Sequence, residues 1–242
     1  MLRKIKLKAI LAILLMIVSS CAPEDSSNTV TDIDGNVYTT VKIGTQVWMV
    51  ENLKTTKYRN GESIGTTTPA TKDISGESTP KYQWAYNGNE GNVSKYGRLY
   101  TWYAVSDSRS IAPTGWHVPT DAEWTILEEY VAANLGTSGS EAKTLASTTD
   151  WASSTAAGAI GNDLTKNNSS GFAGLPGGYR NEISLPGLGS FFNIGSYGYW
   201  WSSSESDTYY AWIRYLTCNS SVVGRNSANK QYGFSVRCVR DN

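Results

Sequence analysis

The C-terminal stretch from Gly198 to Asn242 constrains the fold of this chain most tightly. Gly198-Tyr-Trp-Trp-Ser-Ser-Ser-Glu205, Tyr209-Tyr-Ala-Trp-Ile-Arg-Tyr-Leu216 and Tyr232-Gly-Phe-Ser-Val-Arg-Cys-Val-Arg240 read as successive strands. In the last of them Phe234, Val236 and Cys238 share one face and Ser235, Arg237 and Val239 the other, the period of two that a half-buried strand requires. Trp200 and Trp201 are adjacent on an extended strand and must point to opposite faces. One is therefore expected in the core. The other, Trp201, with Ser203 and Glu205 on its side, is expected to face a loop or a ligand.

Upstream, Asn36 to Ile43 alternates, with Val37, Thr39, Val41 and Ile43 on one face, and Gly44-Thr45 is a two-residue turn into Gln46 to Val50, so a first hairpin is expected. Asn60 to Ser94 is rich in Gly, Thr, Ser, Pro and Asn and reads as long surface loop, with one extended piece at Lys81 to Tyr86. Arg98 to Val105 is apolar enough to be buried as a strand or short helix. Thr120-Asp-Ala-Glu123 has the spacing of a capping box. Behind it, Trp124, Leu127, Val131 and Leu135 fall on one helical face, with Gly136 as a left-handed stop. A second short helix is expected at Glu141 to Ala146. Ser147 to Gly195 shows few periodic residues, and Gly171 to Arg180 reads as glycine-hinged turns. The sum is an α+β domain: a twisted antiparallel sheet, one or two main helices and long ordered loops.

The N-terminus speaks of export. Arg3, Lys4, Lys6 and Lys8 precede an apolar run from Ala9 to Val18, and Ser19 and Ser20 lead to Cys21. This is the pattern of a secretory signal peptide over residues 1–20, too short for an ordinary transmembrane helix of about 20 apolar residues. Val18-Ser-Ser-Cys21 resembles a bacterial lipobox, which makes Cys21 the lipidation site and lipid the link to the membrane. Residues 21–30 then form a flexible tether, followed by a domain over 31–242. The acidic residues just after Cys21 resemble the export signal of Bacteroidetes surface lipoproteins, so an outer-membrane lipoprotein exposed at the cell surface is expected. The whole chain has 21 basic and 21 acidic residues, and four of the basic ones lie in the signal, which leaves a net −4 beyond it. Nucleic acid is not an expected partner, because nothing in the chain forms a basic stripe for phosphates.

The C-terminal motifs, taken with Asp32-Ile-Asp-Gly-Asn-Val-Tyr38, Ile43-Gly-Thr-Gln-Val-Trp-Met49, Glu51-Asn-Leu53, Tyr96-Gly-Arg-Leu-Tyr100 and Gly115-Trp-His-Val-Pro-Thr-Asp-Ala-Glu-Trp124, resemble the Fibrobacter succinogenes major paralogous domain family. The resemblance runs from about Thr31 to the C-terminus. It implies a C-type-lectin-like fold related also to formylglycine-generating enzymes, and it transfers no catalytic residue.

Weighed residue by residue, the chemistry is sparse. His117 is the only histidine, next to a helix cap and without a nucleophile motif, so a packing or turn-bonding role is expected. Ser202 to Ser204 read as hydrogen-bonding to neighbouring loops rather than as nucleophiles. Asp32-Ile-Asp-Gly-Asn36 places glycine fourth, not sixth as in a helix-loop-helix calcium loop, and a tight turn explains it without metal. A lectin-type calcium site would need other carboxylates, for which Glu205 and Asp207 are candidates by position alone, and the Glu-Pro-Asn and Trp-Asn-Asp signatures of calcium-dependent sugar binding are absent. No cofactor or metal is expected. The related generating enzymes use two cysteines a few residues apart, whereas Cys218 and Cys238 stand twenty positions apart. Whether those two form a disulfide is open, since bridging needs α-carbons within about 7 Å. Trp48, Trp102, Trp116, Trp124, Trp200 and Trp212 read mostly as core. Trp84, Tyr86, Tyr197 and Tyr199 lie in or beside Gly/Asn-rich loops and, with Trp201, are the candidate ligand-binding residues. The leading expectation is a non-enzymatic surface lipoprotein whose lectin-like domain binds a glycan or a surface protein. A structural component of a surface or pilus assembly is the alternative, and a generating-enzyme-like catalyst the last.

Overall fold

The computed structural model describes residues 28–135, 139–185 and 189–241. The signal peptide, Cys21, most of the tether and Gly136 lie outside the described residues. Among the described residues, twelve short strands, four helices and three 3-10 turns form an α+β domain dominated by sheet. The strands are β1 (Thr29–Thr31), β2 (Val37–Ile43), β3 (Gln46–Met49), β4 (Gln83–Trp84), β5 (Leu99–Tyr100) and β6 (Trp116–His117). They continue with β7 (Gly177–Leu185), β8 (Gly189–Ile194), β9 (Tyr197–Glu205), β10 (Tyr210–Thr217), β11 (Gly224–Asn229) and β12 (Val239–Arg240). The helices are α1 (Val93–Tyr96), α2 (Trp102–Val105), α3 (Asp121–Asn134) and α4 (Glu141–Leu145).

The described residues form two five-stranded sheets rather than the single twisted sheet expected from the sequence. The first has the order β1-β2-β3-β12-β6, the second β11-β10-β9-β7-β8, and β4 and β5 make a separate ribbon. The expected first hairpin is β2–β3, with Ile43 opposite Gln46 across Gly44-Thr45. Its faces differ from the alternation: Val37 is 56% exposed while Tyr38 is buried, because the Tyr38 hydroxyl donates to Asp32 Oδ2 at 2.5 Å. Thr29 to Thr31 pair with β2, so the folded domain starts within the stretch expected to be tether.

The second sheet is antiparallel except where β7 runs parallel to β9, with Gly178 opposite Gly198. Both positions require glycine. Gly178 has φ +66°, and a Cβ there would lie 2.3 Å from the Phe192 carbonyl; a Cβ on Gly198 would lie 2.5 Å from the Leu175 carbonyl. This glycine content is also why the β7–β8 hairpin was illegible in sequence, where Gly171 to Arg180 read as turns.

The segment 233–239 departs most from the half-buried strand its periodicity suggests. All seven residues are buried. The segment is a seam between the sheets: Phe234 exchanges backbone hydrogen bonds with Tyr100, Ser235 bonds Tyr199 and Trp201, Val236 O accepts from Leu53 N, and Cys238 O from Met49 N. Phe234, Val236 and Cys238 enter one core with Tyr100, Trp102 and Trp201. Val239 enters a second core with Trp48, Trp124, Phe172 and Trp200, whose rings pack tilted or edge-on at 4.9 to 6.4 Å. Between the cores, Arg237 is 0% exposed, donates to Asn52 Oδ1 at 3.0 Å and to the Phe172 carbonyl, and lies 4.1 Å from the Phe172 ring centre. Burial pulls its pKa down to about 9.

Helix α3 begins as the capping box requires: Thr120 Oγ1 accepts from Glu123 N at 3.2 Å and Glu123 Oε2 from Thr120 N at 2.8 Å. Trp124, Leu127 and Val131 are buried, but Leu135, the C-cap residue, is 37% exposed. Asp121 ties the helix to the second sheet through Arg214 at 2.7 Å and Arg225 at 2.9 Å. Among the described residues no helix is long and apolar enough to cross a membrane.

Candidate functional site

Tyrosines gather on one face of the second sheet. Tyr199 on β9 stacks on Phe234, with ring centres 5.1 Å apart and planes 22° apart, and meets Tyr179 of β7 edge-on at 5.4 Å. Tyr179 in turn lies 5.9 Å from Tyr232, and Tyr197 stacks on Tyr199 at 5.5 Å with planes 4° apart. Alternation on the strands produces the cluster: Tyr197 and Tyr199 are two apart on β9, so they share a face. Tyr179, Tyr199, Tyr210 and Tyr232 line a cavity of about 380 Å³, to which β11 adds Asn226 and Asn229 and β7 adds Glu182.

The electrostatics of the cavity are those of a neutral hydrogen-bonding surface with one acid. Burial first, and then the neighbouring Glu182, hold the phenols of Tyr179 and Tyr232 above the ordinary 10. Burial does the same for Tyr199. These hydroxyls therefore stay protonated and can both donate and accept. Burial likewise raises Glu182, against its own backbone N–H, and its Oε2 is shielded from water with no hydrogen-bond partner.

The structure separates the candidates named from sequence. Tyr199 lines the cavity and Tyr197 flanks it, both half-buried. Trp201 does not face a loop: it is 0% exposed, its indole N–H donates to the Tyr100 carbonyl at 2.7 Å, and its ring lies 4.7 Å from Phe234. Trp200, at 1% exposed, is equally sealed on the other face. Both faces of β9 are core here because the side chains of Tyr100, Trp102 and Phe234 close one and α3 the other, while the 233–239 segment bridges its edge at Ser235. Trp84 and Tyr86 are buried too, in a small core with Ile74, Leu99 and Phe191. The Trp84 indole N–H donates to Thr67 Oγ1 at 2.8 Å, and the Arg180 guanidinium covers its ring at 4.1 Å. Trp212, expected in the core, is half-buried, with the Arg225 guanidinium 3.5 Å above its ring.

Cys218 and Cys238 are free thiols. Cys238 is fully buried in the first core, where burial pushes its thiol up, and Cys218 packs on the second. Asp32 is a turn organiser: its Oδ1 accepts from Asp34 N and Asn36 N, both at 2.9 Å, and its Oδ2 from Asn36 and Tyr38 side chains. Ser204 Oγ accepts from Asp121 N at 3.0 Å and Ser202 Oγ from Ser204 N at 3.1 Å, the local bonding expected of that row. Glu205 lies 3.3 Å from the Lys230 ammonium. His117 bridges Asp241 through Nδ1 at 2.6 Å and Glu123 through Nε2 at 2.7 Å. Burial alone would lower its pKa, but the two carboxylates outweigh it and the net shift is upward.

Tyr179, Glu182, Tyr210, Asn226, Asn229 and Tyr232 escaped the sequence reading. The available signal was the recurrence of tyrosine in all three C-terminal segments, but their convergence needed β7, whose glycines hid it. Also unforeseen were buried cations holding loops by backbone carbonyls. The Lys143 ammonium reaches the carbonyls of Ala159, Asn162 and Asp163 at 3.0, 2.5 and 3.1 Å. Arg180 donates to the carbonyls of Ala70, Lys72 and Asn181.

An α+β domain whose two sheets are stitched by a buried C-terminal segment, with a tyrosine cavity on the second, is the architecture to be placed. Residues 41–240 match the model of the Fibrobacter succinogenes major domain, and the chain belongs to that family. No curated protein and no solved structure matches it.

Proposed function

We propose that this protein is a non-catalytic, lipid-anchored surface protein whose lectin-like domain binds a glycan in the tyrosine cavity. The observation that carries the reading is the cavity itself: four tyrosine rings with two asparagines and one carboxyl. Sugar rings present apolar C–H faces and hydroxyl rims, and the half-buried Tyr179, Tyr199 and Tyr232, with their protonated hydroxyls, and the exposed ring of Tyr210 offer the complementary surface. Two curled sheets with long ordered connections are in keeping with a C-type-lectin-like relationship.

Binding without turnover is favoured by the inventory of groups. Glycoside hydrolysis ordinarily uses two carboxyl groups flanking the bond. Glu182 is the only carboxyl among the residues that line the cavity. A generating-enzyme-type redox pair is disfavoured because Cys238 is sealed in one core and Cys218 packs on the other. Lipid attachment at Cys21, and display at the outer face of the outer membrane, rest on the N-terminal pattern.

A glycan array probed with the domain, followed by titration of the hits, tests the reading. Tyr232→Ala is expected to weaken binding at least tenfold while the far-UV spectrum is unchanged. An array without hits, alongside capture of a surface protein by the wild type that Tyr232→Ala abolishes, would move the assignment to protein recognition.

A further inference from the structure

The tyrosine cavity has a neighbour. Asn229, which lines it, also lines a second cavity of about 520 Å³ bounded by Tyr103, Tyr209, Gln231, Glu77 and Thr79. Consecutive tyrosines serve the two: Tyr210, 43% exposed, lines the first, and Tyr209, 70% exposed, lines the second.

The ridge between the cavities is built rigidly. Asn229 Oδ1 accepts from Gln231 N at 3.0 Å, Tyr232 N donates to Asn229 O at 2.9 Å, and Lys230 N donates to Tyr209 O at 3.0 Å. Beneath it, the Lys230 side chain is buried: its ammonium donates to the carbonyls of Asp207 and Thr208 at 2.8 and 3.0 Å and lies 4.6 Å from the Trp102 ring centre. Gln231 Nε2 donates to the Glu77 carbonyl at 2.5 Å and so holds the far wall. A ligand crossing Asn229 meets a surface that is already ordered, which reduces the entropy lost on binding.

Charge narrows the ligand further. Each cavity has one acidic residue, Glu182 or Glu77, and neither has a Lys, Arg or His among its lining residues. Glu77 is partly offset by Lys72 at 3.4 Å and accepts from the Tyr82 hydroxyl at 2.8 Å. Glu182 lines the first cavity and its buried Oε2 has no hydrogen-bond partner, so a small outward turn of the side chain would let a ligand hydroxyl or amino donor satisfy it. A second carboxylate beside it would be repelled, and Arg180, the cation that acts on Glu182, is already held by the carbonyls of Ala70, Lys72 and Asn181.

We infer that the site takes a glycan chain of two or more sugar units laid across Asn229, neutral or amino-substituted, and discriminates against uronic-acid and sialylated chains. This rests on the glycan reading above.

The test is an array of neutral, amino-substituted and acidic glycans of one to eight units, followed by calorimetric titration of the hits with the full chain and its variants. Chains of two or more units are expected to bind at least tenfold more tightly than the matching monosaccharide, and acidic chains at least tenfold more weakly than neutral ones of equal length. Tyr209→Ala, at an exposed ring whose loss leaves the core intact, should reduce long-chain affinity to that of the shortest ligand and leave the shortest unchanged. Glu182→Gln should narrow the penalty on acidic chains. Equal affinity at every length, an equal effect of Tyr209→Ala on every length, or acidic chains bound as well as neutral ones would overturn the inference while leaving glycan binding standing. An array without hits would remove both.

Discussion

Truncating Trp200 and Trp201 one at a time measures how completely strand β9 is enclosed. The side chains are 1% and 0% exposed and belong to different cores. A tryptophan buries about 200 Å², and at about 25 cal/mol per Å² its transfer is worth about 5 kcal/mol. The methyl group left by alanine recovers a little, and incomplete collapse of the cavity costs more, so each substitution should destabilise by about 3 to 5 kcal/mol. Neither should strand a buried acceptor. Tyr100 O, which loses the Trp201 indole, still accepts from Phe234 N at 3.1 Å, and Asn52 Oδ1, which loses the Trp200 indole, still accepts from Arg237 at 3.0 Å. Two comparable losses are therefore expected, each a large share of the roughly 5 to 15 kcal/mol of a typical domain. Trp212→Ala is the internal control: its ring is half-buried under Arg225, and only about 1 kcal/mol should be lost. Urea unfolding followed by circular dichroism, with m-values checked for constancy, reads all three. A cost below about 1 kcal/mol for Trp201→Ala would refute the enclosed-strand argument, because a core tryptophan cannot be removed so cheaply.

Three further outcomes follow from other parts of the molecule. The folded pKa of His117 lies above the ordinary 6.5, so its contribution to stability should be complete below about pH 6.5 and fall away as pH rises through the raised folded value; His117→Gln should flatten that slope in urea melts between pH 5.5 and 8.5. Lys143→Met keeps the aliphatic stem but leaves the carbonyls of Ala159, Asn162 and Asp163 without their charged donor, and should cost about 3 kcal/mol in chemical denaturation. Cys21→Ser should shift the protein from the detergent phase to the aqueous phase on phase partitioning, and unchanged partitioning would reject lipidation there.

What could be read without coordinates was local. The capping box at Thr120, the strand character of β9 and β10, the Gly44-Thr45 turn and the two helices behind Pro119 depend on residues within a few positions of one another. Spacing and side-chain type are enough to specify them. The α+β class followed from their sum, and family membership from the motifs. Tertiary structure decided which faces are covered. The alternation of 233–239 says that its faces differ, yet both are buried, because Phe234, Val236 and Cys238 enter the core of Tyr100, Trp102 and Trp201 while Val239 and Arg237 pack against the core of Trp48, Phe172 and Trp200. The same enclosure moved Trp201 from candidate ligand contact to core, and Arg180 and Trp84 into a buried stack. The tyrosine cavity assembles residues from 179 to 234 through a parallel pairing of β7 with β9 that depends on Gly178 and Gly198. A sequence pattern carries the periodicity of one strand, whereas burial depends on what distant segments lay against it, and for this chain that distinction separates the packed indoles from the phenols left open on the sheet.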